Sequence, residues 1–173
     1  LHRCVHSLDT RSYSDIYSVQ AALTRYFPLF NESAFKLSGE IATVDSISDD
    51  RVAIFDRFFA GGVNSVRGFE SRDVGPVDSN LDPIGGKSRL TGTAEIQVPL
   101  VDMVRWRTFC DFGNVWEDAA DWNPAEVNVS VGMGVELRLP IGPLSFDYGF
   151  PIVTEQDHLE DDGRLHFNVG YTF

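Results

Sequence analysis

With 173 residues, 43% of them hydrophobic and 12% aromatic, the chain has the make-up of one folded domain rather than of a disordered segment. A net charge of −12 without any Lys/Arg cluster excludes the basic face that nucleic acid would require. No apolar run approaches the ~18 residues of a membrane-crossing helix, which excludes a helical membrane protein but leaves transmembrane strands open, because these show lipid only every second side chain.

Residues 1–10 alternate poorly and are expected to form at most one extra strand. Two clearer segments follow. Tyr17, Val19, Ala21 and Leu23 oppose Ser18, Gln20, Ala22 and Thr24; Phe35, Leu37, Gly39 and Ile41 oppose Lys36, Ser38, Glu40 and Ala42. A long loop, 45–88, comes next, and 89–173 holds five more strands. In the first of these, Leu90, Ala94, Ile96 and Val98 oppose Thr91, Thr93, Glu95 and Gln97. Asp111 follows in Thr108–Gly113, with Phe109 and Gly113 on its side and Thr108, Cys110 and Phe112 on the other. Val127–Leu139 alternates over about 13 residues, longer than the usual soluble strand of about 5–6. Leu144, Phe146, Tyr148 and Phe150 oppose Ser145, Asp147 and Gly149; Leu165, Phe167, Val169, Tyr171 and Phe173 oppose His166, Asn168, Gly170 and Thr172.

Tight turns (28–33, 100–103, 140–143) alternate with long connections (45–88, 114–126, 151–163), the layout of an outer-membrane barrel. Trp106, Trp116, Trp122, Tyr148, Phe150, Tyr171 and Phe173 fall near strand ends, where a membrane girdle needs aromatics. A soluble β-sandwich shows the same period-two alternation, so periodicity alone leaves that architecture open. The acidic runs at 45–50, 117–121 and 155–162 read as solvated loops.

Cys4 and Cys110 are too few and too separated for a disulfide framework, and His2, His6, His158 and His166 lack ligand spacing and read as loop or strand-end residues. No metal, cofactor or catalytic set is expected. No secretory signal is visible at Leu1, and an exported barrel would then be part of a longer precursor.

The most informative stretch is Val66-Arg67-Gly68-Phe69 in the long loop. A guanidinium flanked by a β-branched residue and glycine calls for a carboxylate partner, and Glu95 and Asp111 stand as lone acids on otherwise uncharged strands. Gly61, Gly62, Gly85 and Gly86 read equally well as loop punctuation.

This motif, with Asp82–Gly86, Asp111–Trp116, the 132–148 run and the aromatic ending 165–173, resembles the BamA/TamA family of outer-membrane insertases. The resemblance covers the chain from about Tyr13 to Phe173. It implies an all-β, antiparallel transmembrane β-barrel, seven or eight strands corresponding to the C-terminal half of a sixteen-stranded barrel, with a loop inserted in the lumen and Arg67 bonded to Glu95 and Asp111. It also implies a weakened seam at Gly170 near the closing Phe173, location in the bacterial outer membrane, and non-enzymatic assembly of outer-membrane proteins. Expected partners are the lipid bilayer, unfolded outer-membrane protein clients and accessory assembly proteins docking on domains outside this chain. A passive or structural barrel, or a two-partner or patatin-linked secretion pore of the same family, is the alternative. A half-barrel leaves open whether eight strands close on themselves or pair with another chain.

Overall fold

The structure, a computed structural model, describes residues 2–7, 16–47, 52–140, 142–160 and 162–170. Eight strands form one antiparallel sheet in chain order: β1 (His2–Ser7), β2 (Ile16–Pro28), β3 (Ala34–Ser46), β4 (Ser88–Val101), β5 (Val104–Trp116), β6 (Asn128–Leu139), β7 (Gly142–Val153) and β8 (Arg164–Val169). Each strand pairs with its sequence neighbours, and among the described residues no ladder joins β8 back to β1. The extra strand expected in the first ten residues is β1. Phe173 and Tyr171 lie outside the described residues.

Strands of 12–14 residues recur from β2 to β7. At about 3.3 Å per residue and a tilt near 45°, such strands cover roughly the 30 Å of a bilayer's hydrocarbon core. Their side chains are sorted in the reverse of a water-soluble fold. Leu37, Ile41, Ile96, Met133, Phe146, Tyr148, Leu165, Phe167 and Val169 are exposed on the outer face, while Thr91, Glu95, Asp111, Ser130, Ser145 and Asp147 are buried on the inner one. A soluble sandwich buries its aliphatic rows between two sheets; here a single sheet turns them outward.

What fills the concave side is the part of the connection from 52 to 87. Val66, Phe69 and Val74 pack with Ala60, Val115 and Leu159, and a second cluster joins Val52 and Phe58 to Ala42 and Val44 at the end of β3. The loop is folded on itself by isolated bridges at Phe58↔Gly86, Ala60↔Val74 and Val77↔Pro83. Apolar burial is thus achieved by the loop inside the sheet.

Trp116 departs from the girdle role that its place at a strand end suggests. It is 4% exposed, it stacks on Trp122 at 5.5 Å between ring centroids, and its Nε1 donates to Glu126 at 3.1 Å. The following connection folds over it, so the ring packs against protein. β6 starts at Asn128, one residue later than the alternation suggests, because Val127 closes the 3-10 turn Pro124–Glu126, and Asn128 donates its side-chain amide to Asn114 and Gln156.

Candidate functional site: the arginine in the lumen

The loop descends far enough for Arg67 to reach the middle of the wall. Its Nε donates to Asp111 Oδ2 at 2.7 Å and Nη2 to Asp111 Oδ1 at 2.9 Å, a two-pronged guanidinium–carboxylate pair. The backbone N–H of Arg67 adds a third bond to Asp111 Oδ2 at 3.1 Å. Nη1 donates to Glu95 Oε2 at 2.9 Å and lies 3.5 Å from Asp147 Oδ2. Arg67 is 6% exposed and Glu95, Asp111 and Asp147 are 2%, 0% and 2% exposed, so little solvent screens these charges. Burial by itself would lower the Arg67 pKa. The hydrogen bond and charge of Asp111, together with Glu95 and Asp147, outweigh it and hold the group above its ordinary value.

The wall is shaped for this cation. Phe109, two residues before Asp111 on the same inner row, puts its ring 3.4 Å from the guanidinium carbon. That ring reaches over Gly132, its partner across the β5–β6 ladder, where a Cβ would stand 2.3 Å from the ring. An aromatic platform under a desolvated guanidinium adds attraction on the face that carboxylates do not occupy. Gly68 has φ 95° and sits against Gly149 so closely that a Cβ on Gly149 would fall 2.5 Å from the Gly68 nitrogen. Glycine at both positions lets the two backbones touch. Phe69 is buried in the cluster with Val66, Val74, Val115 and Leu159 and anchors the loop tip.

Period-two reading placed Glu95 on the inner row, and the structure brings Glu95, Asp111 and Arg67 together. It adds participants that reading left out. Asp147 stood as a lone acid on the polar row of β7, the same signal that singled out Glu95. Arg107 secures it with Nη2 bonds at 2.7 and 2.5 Å and also lies 3.5 Å from Glu136. His166, read above as a loop or strand-end residue, instead lies inside β8, and its Nε2 accepts the Gly68 N–H at 2.8 Å. Glu95 is steadied by Gln97, whose amide donates to Oε1 at 2.7 Å. Below this network, toward the tight turns, the lumen widens to a chamber of about 560 Å³ lined by Lys36, Arg105, Arg107, Arg138 and Glu136, among others.

Gly170 follows directly on β8, with φ 107° and its N–H bonded to the Pro143 carbonyl at 2.8 Å. A Cβ there would meet nothing within 4 Å. Crowding in the lumen therefore does not explain this glycine; its left-handed backbone does.

An outward apolar face, an inward charged face and a lumen stoppered by an arginine-bearing loop define an outer-membrane barrel with an inserted plug loop. The family follows from comparison with known proteins: residues 10–173 match the Omp85 superfamily domain, and the chain belongs to that superfamily. It is 36% identical over 126 residues to the outer membrane protein assembly factor BamA of Nitratidesulfovibrio vulgaris, covering 70% of this chain and 16% of that protein. It is 27% identical over 191 residues to BamA of Neisseria meningitidis, covering 91% of this chain and 24% of that protein. The crystal structure of Haemophilus ducreyi BamA lacking POTRA domains 1–3 superposes with a TM-score of 0.73 at 26% identity, over 90% of this chain and 35% of that one. The chain thus spans a quarter or less of these two BamA relatives, and it is an outer-membrane barrel segment of the superfamily.

Proposed function

We propose that this chain is the working barrel segment of an outer-membrane protein assembly factor, acting without catalysis through an arginine-latched lumen loop and a weak seam at its last strand. Two of its relatives carry the name outer membrane protein assembly factor. The observation that carries the reading is Arg67 held by buried carboxylates from β4, β5 and β7 at once, because one loop residue then braces three wall strands. Support for the seam lies in the β7–β8 ladder, which among the described residues ends at Gly149↔Arg164 and leaves residues 150–153 of β7 unmatched, and in the left-handed Gly170 that follows β8. A partial ladder holds fewer bonds than a full one, and an incoming client strand can add to a loosened strand by β-augmentation in the bilayer.

The test is complementation of the full protein with Arg67→Ala, reading the folded yield of outer-membrane clients. The proposal expects a marked loss. Unchanged client assembly would favour the passive or structural barrel, which keeps the strand faces but does not depend on the latch.

A further inference from the structure

Among the described residues β8 is the last strand of the sheet, held to β7 by a ladder of Leu144↔Val169 through Gly149↔Arg164. Its outward side chains Leu165, Phe167 and Val169 are exposed, so whatever draws the strand inward acts on its other row. Two successive side chains of that row grip the lumen loop. His166 Nε2 accepts the Gly68 N–H at 2.8 Å, and Arg164 Nη2 lies 3.5 Å from Glu70 Oε2 as well as 2.6 Å from Glu160. The gripped residues flank Phe69, the buried anchor of the loop tip. Gly149, the ladder partner of Arg164, lies under Gly68, so the loop crosses directly over the β7–β8 ladder.

The chemistry at Gly68 is specific. Its N–H points at an imidazole nitrogen that must carry a lone pair, which requires the neutral ring with its proton on Nδ1. Without an acceptor at that place, a part-buried backbone donor would be left unpaired, which is the costly outcome. Hydrophobic packing alone cannot meet that need.

We infer that His166 is a positioning residue that ties β8 to the tip of the lumen loop, so that departure of the loop and loosening of β8 from β7 are one event. With the loop in place, β8 is held by its ladder and by two side-chain ties. With the loop withdrawn, those two ties are lost, and β8 yields more readily to an incoming strand. Only that last consequence rests on the assembly reading; the tie itself does not.

The full-length protein in liposomes, without client, provides the test by hydrogen exchange of residues 164–169, after the heat-dependent gel shift has shown each variant to be folded. His166→Leu keeps similar volume without an acceptor and is expected to speed exchange there about tenfold, while residues 61–69 stay protected because Arg67 still holds Asp111. His166→Gln, whose Oε1 reaches the same N–H, should restore the slow exchange. Arg67→Ala should speed exchange in both segments. Wild-type exchange of β8 in His166→Leu, a Gln variant as fast as Leu, or loop release in Arg67→Ala with β8 unmoved would each overturn the inference. Fast β8 in Arg67→Ala alongside normal client assembly in cells would instead sink the assembly reading and leave the tie standing.

Discussion

Arg67→Ala removes a cation that answers three carboxylates. Asp111 loses three of its hydrogen bonds' worth of geometry: the Nε and Nη2 prongs vanish, and the backbone N–H bond depends on the loop staying seated. Glu95 keeps Gln97, and Asp147 keeps Arg107. Asp111, with 0% exposure, is therefore the group left stranded. Deleting one partner of such a buried pair costs about 3–5 kcal/mol, equivalent to a shift of about a hundred- to several-thousand-fold between seated and withdrawn loop. Hydrogen exchange of residues 61–69 in the membrane-embedded protein reads this shift directly, and the segment is expected to go from protected to freely exchanging. Arg67→Lys should fall in between, because a single ammonium keeps the charge but cannot reproduce the two-pronged bond to Asp111 while also reaching Glu95. Full protection of the loop in Arg67→Ala would refute the reasoning and show that the Phe69 cluster alone seats it.

Gly149→Ala leaves every charge in place but puts a methyl 2.5 Å from the Gly68 nitrogen; the loop should lift, seen as faster exchange at 61–69, and an unchanged rate would argue against backbone contact as a requirement. Val131→Arg, on the outer row of β6, should cost about 2–4 kcal/mol of folding in lipid if it sits near the midplane, lowering the folded band in a heat-dependent gel shift; a neutral result would contradict lipid contact at that row. Trp116→Phe removes the Nε1 bond to Glu126 and should lower the midpoint of that shift by an amount matching about 1 kcal/mol, with loop exchange unaltered.

The distribution of side chains between two faces was legible in the sequence because strand alternation is a local property: the row on which Glu95, Asp147 or His166 lies is fixed by its own neighbours. The same local rule gave the tight turns and the long connections. It misjudged Trp116, whose surroundings are decided by a connection folding back over it, and it gave His166 no role, since the Gly68 it bonds is 98 residues away in sequence.

What the sequence determined by itself, then, is a sheet with one lipid-facing row and one charged row, and an arginine in need of acids. Which acids it meets was decided by tertiary structure. Ladder register sets Glu95 opposite Phe109, two residues from Asp111, and Asp147 opposite Gly134, where the absent side chain leaves room for the carboxylate. Those offsets come from the stagger between strands and from how deep the loop descends, quantities that depend on packing across the whole sheet and are written in no single stretch of residues.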